Sequence, residues 1–153
     1  MVDEWFNDKE SANKNYGKIE YWNVKNVNDL SNLFQQKQYF NENLACWDVS
    51  NVTDMTWKFY FASYFDHDLN AWDVSKVTSF EAIFENASKL DKELSKWDVS
   101  SATNMDIMFY YATSFNQRLC LDVTATRTTM MFVNSLGCIE GNCYLSCDNT
   151  LLC

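Results

Sequence analysis

Three carboxylates, Asp48, Asp73 and Asp98, recur at a constant interval, with Asn23 at the same interval before them and Asp122 one residue short of it after. Stacked side by side, such residues are raw material for a hard-cation site, but calcium takes about six to eight oxygens and one carboxylate per interval is thin, even with Ser50, Ser75 and Ser100 nearby. Like charges about 5 Å apart also repel unless something offsets them. The competing expectation is structural: each carboxylate accepts backbone N–H groups in its own turn. A second row, Asn41, Asp66, Asp91 and Asn116, mixes amide with acid. Only a role indifferent to charge tolerates that mixture, so this row reads as a ladder of turn-forming hydrogen bonds accepted from backbone N–H.

Nucleophilic chemistry has little to work with. His67 is the only histidine, and no motif arranges a serine or cysteine around it. Of six cysteines, Cys138, Cys143, Cys147 and Cys153 crowd the C-terminal end, with Cys120 upstream. They lack the paired C-x2-C knuckle of structural zinc, so no metal and no cofactor is expected, and these five are disulfide candidates. That density suits an oxidising compartment. Met1-Val2-Asp3-Glu4 has neither the basic start nor the apolar stretch of a secretory signal, so the expectation is an extracellular or cell-surface protein whose leader is not within this chain.

The elements that carry these residues are set by a repeat. Trp47, Trp72 and Trp97 each open Trp-Asp-Val-Ser at even spacing; Trp22-Asn23-Val24 extends the register backwards and Leu121-Asp122-Val123 forwards, one residue early. A fixed period of roughly 25 residues marks stacked repeats, here four regular coils and a degenerate fifth. Trp and Val two apart have strand alternation, whereas Val52, Met55, Phe59 and Ala62 step by three and four like one face of a helix. Thr53, Thr78 and Thr103 stand where an N-cap is wanted, which predicts helices beginning near 54, 79 and 104. Strands returning through helices on one side are parallel with right-handed crossovers, spaced about 4.8 Å apart. The expected fold is therefore an α/β, right-handed, leucine-rich-repeat-like solenoid of short parallel strands and short helices. Residues 1–18 form a helical N-terminal cap built on Val2, Trp5, Phe6 and Ala12 and stopped at Gly17, residues 19–125 the solenoid, and residues 126–153 a cysteine-rich C-terminal cap. Cys46 and Cys120 hold one slot three coils apart, roughly 14 Å at that spacing and too far to pair with each other. Cys46 is expected to be a free thiol.

The coils also depart from one another. Lys58 fills a slot taken by Leu33, Ile83 and Met108, and Lys37 one taken by Ala62, Ala87 and Ala112. Each is expected to run its stem past the core and put its ammonium in water. Trp57, Tyr60, Phe61 and Tyr64 in the second coil, then Tyr110 and Tyr111 in the fourth, replace polar residues such as Asn32, Gln35 and Gln36 or Glu85 and Asn86. With the core slots already filled, several of these aromatics face outward as a contact patch or line the seam between coils. Asn51-Val52-Thr53 and Asn86-Ala87-Ser88 match the glycosylation sequon, though the first is simply the repeat.

The pattern Trp-Asp-Val-Ser-x-Val-Thr-x-Met, followed by Met or Phe, Ala and Phe-Asn, over residues of about 16 to 125, resembles the repeat of BspA-type, leucine-rich-repeat-like surface proteins. That resemblance implies a cell-surface or secreted module for adhesion and protein contact, with no catalytic residues to carry over. Composition agrees on what is excluded: a net charge of −9 repels phosphate backbones and anionic membranes, and no apolar run reaches the roughly 20 residues of a membrane helix. Neither nucleic-acid binding nor membrane insertion is expected. The reading is a non-catalytic recognition module for a protein or glycan. The alternatives are a structural spacer or matrix repeat without a specific ligand, and a cation-binding repeat protein.

Overall fold

The computed structural model describes residues 2–119, 123 and 126–139. Two short helices open the chain, α1 (Val2–Asn7) and α2 (Lys9–Tyr16). Asp8 caps α2 by accepting from the Ser11 N–H at 3.0 Å, and Gly17, at φ 74°, ends it with a bond from its own N–H to Asn13 O. Trp5 and Phe6 of α1 pack on Phe40, their ring centres both 5.9 Å from it, so the helices lie over the first coil. Near the other end, β1 (Arg118–Leu119) pairs in parallel with β2 (Cys138–Ile139).

Between these ends the backbone repeats on itself. Asp29, Asp54, Ser79, Asn104 and Arg127 form consecutive parallel bridges, each to the next. The parallel contact therefore falls just before the Met slot, and the Trp-Asp-Val segment, expected as the strand, is instead bracketed by tight turns in which Trp47 N–H donates to Leu44 O and Val52 N–H to Val49 O. Thr53, Thr78 and Thr103 do not cap helices. Their hydroxyls donate to the equivalent carbonyl of the coil before, that of Asn28, Thr53 and Thr78, at 3.1, 3.0 and 3.1 Å, and so tie one coil to the preceding one.

The short helices expected after each threonine are also replaced, by runs of turns. In the second coil, Trp57, Phe59 and Phe61 donate their N–H groups to Glu81, Ile83 and Glu85 of the next coil, all at 2.9 Å, while Lys58, Tyr60 and Ala62 close turns onto Met55, Trp57 and Phe59. Alternate N–H groups thus leave the coil, which a helix does not allow. The geometry needs left-handed residues, and every coil supplies two: Asn32 and Gln36, Trp57 and Phe61, Ala82 and Asn86, Ile107 and Tyr111, Met130 and Asn134, with φ between 51° and 59°. Each costs about 1–2 kcal/mol for a side chain with a Cβ, so the inter-coil bonds and the core must offset it.

That core is columnar. Phe34, Phe59, Phe84, Phe109 and Phe132 stack at 5.5, 5.6, 5.6 and 5.4 Å between ring centres. Beside them each indole reaches into the coil before: Trp47 Nε1 donates to Ile19 O at 2.8 Å, Trp72 to Leu44 O and Trp97 to Leu69 O, both at 3.0 Å. Burial of the three tryptophans is thereby achieved with no donor left unpaired.

Lys58 corrects the sequence reading. Rather than snorkelling, it lies wholly inside, its Nζ without a hydrogen-bond partner and 4.9 Å from the ring centres of both Phe34 and Trp47, 5.4 Å from Phe59 and 5.6 Å from Trp72. The strict register of the coils places it in an inward slot, where its ammonium nitrogen stays among the four rings instead of reaching water. Desolvation holds its pKa well below the ordinary lysine value. Lys37, one coil earlier, has no coil beneath it and rests half-buried over Phe6 of the helical cap, 4.4 Å from the ring centre.

Candidate interaction face

The acid and amide rows are consumed by the backbone. Asp48, Asp73 and Asp98 accept the N–H of Ser50, Ser75 and Ser100 at 3.2, 3.1 and 3.0 Å, and the Ser50 and Ser75 hydroxyls add bonds of 2.6 and 2.7 Å. These serine hydroxyls, then the backbone N–H groups, hold the three carboxyls below the usual aspartate range. The second row is a ladder between coils: Asn41 accepts from Asp66 N–H, Asp66 from Asp91 N–H and Asp91 from Asn116 N–H, at 3.0, 3.1 and 3.0 Å. Among the described residues, no cluster of His, Cys, Asp or Glu side chains has the makings of a metal site. His67 lies 3.0 Å from the Asn41 carbonyl. Cys46 is a free, exposed thiol and Cys138 is disulfide-bonded. The other disulfide candidates, Cys120, Cys143, Cys147 and Cys153, lie outside the described residues, as does Asp122.

What the fold does display is aromatic. Of the left-handed residues, Trp57, Phe61 and Tyr111 are exposed, whereas Ala82 is buried; Tyr64 is exposed too, and Tyr60 and Tyr110 are half-buried. Trp57 stacks on Tyr60 at 5.7 Å, and Tyr60 meets the edge of Phe61 at 4.6 Å. Tyr110 and Tyr111 repeat that pairing at 4.7 Å. The six aromatics therefore form two groups, with Glu85 and Asn86 of the third coil between them. Burial pushes the Glu85 carboxyl above its ordinary pKa, and Asn86 Nδ2 donates to it at 3.4 Å.

Tyr39 belongs to the same face and sequence reasoning missed it. It is 76% exposed, the most open aromatic of the molecule's described part, and its ring centre is 5.3 Å from that of Tyr64. Its position, one full period before Tyr64, was the available signal. A groove of about 480 Å³ runs beside this group, lined by Gln36, Gln38, Tyr60, Phe61 and Ser63. A second, of about 530 Å³, continues from Gln36 and Gln38 to Trp5, Phe6 and Lys9 of the cap. Among the described residues the side chains of Gln36 and Gln38 hold no hydrogen-bond partner, so their amides remain available.

The sequence profile of a family described as Mycoplasma protein of unknown function, DUF285, matches residues 1–122. No curated protein and no solved structure matches the chain. Among the described residues, no helix is long and apolar enough to cross a membrane.

Proposed function

Since the chain belongs to the DUF285 family, whose members are described only as Mycoplasma proteins of unknown function, we propose from its surface that it is a non-catalytic recognition module, a leucine-rich-repeat-like solenoid displaying its turn face to a protein or glycan. The observation that carries this reading is the placement of Trp57, Phe61, Tyr64 and Tyr111 at exposed positions of one face, where soluble domains ordinarily put polar residues. Aromatic rings at such sites supply much contact area at low side-chain entropy cost. The resemblance of the Trp-Asp-Val-Ser repeat to BspA-type surface proteins supports the same assignment, and the disulfide at Cys138 supports an extracellular or cell-surface location. The polar rows argue against a cation-binding role, because one oxygen of each carboxylate, Oδ1 of Asp48, Asp73 and Asp98, already serves a backbone donor, and that of Asp48 and Asp73 a serine hydroxyl too.

The test is a comparison of two proteins on a glycan array and a panel of purified extracellular proteins. One is the wild-type chain; the other carries Tyr60→Gln, Phe61→Asn, Tyr110→Gln and Tyr111→Asn, which borrow residue types already found at these positions in other coils. Recognition predicts ligands captured by the first and lost by the second at equal thermal stability. Identical binding by both, or none by either, leaves the spacer reading.

A further inference from the structure

Two neighbouring columns of residues run along the stack on the turn half. One reads Gln36, Phe61, Asn86, Tyr111, Asn134: carboxamide, ring, carboxamide, ring, carboxamide. All five sit in the same left-handed conformation, φ 55–59°, so the column presents one side chain per coil from an equivalent backbone. The adjacent column reads Gln35, Tyr60, Glu85, Tyr110. Bonds from Gln36 N–H to Tyr60 O at 2.7 Å, Phe61 N–H to Glu85 O at 2.9 Å and Asn86 N–H to Tyr110 O at 2.8 Å fix their mutual register. The Tyr60–Phe61 pair, at 4.6 Å and 72° between ring planes, recurs two coils later as Tyr110–Tyr111 at 4.7 Å and 60°. Phe61 and Tyr111 are open to the same degree, 41% and 42%. One aromatic unit is therefore shown twice, with an acid and an amide between the two showings.

The spacing selects among linear ligands. Two coils advance about 10 Å at about 4.8 Å per parallel neighbour, and the core rings of Phe59, Phe84 and Phe109 step by 5.6 Å each, slightly more. A β-strand peptide repeats its side-chain direction every two residues, about 6.8 Å, and falls out of register with the second aromatic unit, whereas a polyproline II peptide, which repeats every three residues in about 9.3 Å, comes nearer but carries no polar group fixed between its two repeats. A β-1,4-linked glycan is also an extended ribbon with a two-unit repeat, but its two-sugar repeat has the length of two coils. Its pyranose rings carry apolar C–H faces that lie on aromatic rings, and its hydroxyls donate and accept, as a carboxamide does.

We propose that this alternating face binds an extended β-1,4-linked glycan laid along the stack, with alternate sugars on Phe61 and Tyr111 and the sugar between them hydrogen-bonded by Glu85 and Asn86. The proposal rests on the recognition reading and narrows it to one ligand class. Partial burial of Glu85, and the bond it accepts from Asn86, orient both polar groups before a ligand arrives. Gln36 and Asn134 continue the amide rungs beyond each ring.

Titration calorimetry of the full chain against β-1,4-linked oligomers of glucose, xylose and N-acetylglucosamine, two to six sugars long, with an α-1,4-linked glucose hexamer as control, tests this. At least one β-linked series binds, and its trisaccharide, the shortest that spans Phe61 to Tyr111, binds roughly tenfold tighter than its disaccharide. Phe61→Asn and Tyr111→Asn each weaken the hexamer about fivefold without lowering Tm, because asparagine already occupies this conformation at 86 and 134. The proposal is overturned if no β-linked hexamer binds, if the α-linked control binds as well, or if both asparagine variants bind like wild type. If it is overturned while the aromatic quadruple variant still loses an array ligand, recognition stands and the ligand class is wrong; if no array ligand depends on those residues, both fall.

Discussion

Lys58 Nζ lies 4.9 Å from the centre of the Trp47 ring, on its face, with no hydrogen-bond partner and no water-exposed surface on the residue. Two effects compete there. Attraction between an ammonium and four aromatic rings is worth about 2 kcal/mol or somewhat more when desolvated, whereas removing a charge from water costs several kcal/mol even after relaxation. Desolvation is the larger effect, and it holds the Lys58 pKa well below the ordinary lysine value.

The linkage follows in sign. A lysine whose folded pKa is depressed binds fewer protons folded than unfolded, so stability rises with pH between the folded pKa and the ordinary value of 10.5, and is lost as pH falls through that window. Denaturant unfolding at successive pH values below 10.5 is expected to show stability climbing with pH, by no more than about 1.4 kcal/mol per pH unit. Lys58→Met, the residue type held by the equivalent slot at Met108, should flatten that slope and stabilise the protein at pH 7 by about 1–4 kcal/mol. Equal slopes in both proteins would refute the burial of Lys58.

Asp91 accepts the Asn116 N–H at 3.0 Å and Gln117 Nε2 at 2.6 Å, and both bonds ask only for an oxygen. Asp91→Asn should therefore unfold within about 0.5 kcal/mol of wild type, while Asp91→Ala, which leaves the next coil's N–H without its acceptor, should cost about 1 kcal/mol. Chemical denaturation of the two variants side by side checks this. A loss in Asp91→Asn as large as in Asp91→Ala would mean that the charge, and not the ladder, is what the position requires.

Ile107 is a β-branched residue at φ 53°, the least suited of the ten left-handed side chains to its backbone. Asparagine tolerates this conformation and already takes it at positions 32, 86 and 134. Ile107→Asn is expected to raise Tm, with a gain of about 1 kcal/mol from relieved strain less the contact area lost by a half-buried side chain. A fall in Tm would show that packing of Ile107 outweighs its backbone cost.

These positions also show what the sequence made legible. The constant period put the tryptophans and slots such as Val52, Met55, Phe59 and Ala62 in the core without reference to secondary structure, since any stacked coil of fixed length puts equivalent residues above one another; the burial of Ala82, at a slot held by Asn32, Trp57 and Ile107 in other coils, was not legible. Local conformation was another matter. Apolar residues three and four apart, as at Val52, Met55, Phe59 and Ala62, fit a helical face, and they fit equally a run of turns whose alternate N–H groups bond the next coil. The distinguishing sign was asparagine at 32, 86 and 134, a residue tolerant of positive φ, but Trp57, Phe61, Ile107 and Tyr111 at equivalent positions concealed it. Lys58 was misread for a related reason: its charge suggested an exit to water, while register alone decided which way it points. The aromatic face was visible by subtraction, as rings left over once the core was filled. Tyr39 escaped because the comparison stopped at the slots of the second and fourth coils.

The tryptophan bonds have a direction. Trp47, Trp72 and Trp97 each donate backwards, to a carbonyl 28 residues nearer the N-terminus. On a ribosome that carbonyl has already emerged when its indole appears, so each of these three indoles finds its acceptor already made. These three bonds can close as soon as their own coil is made, whereas the backbone bonds that Trp57, Phe59 and Phe61 donate must wait for the coil that follows.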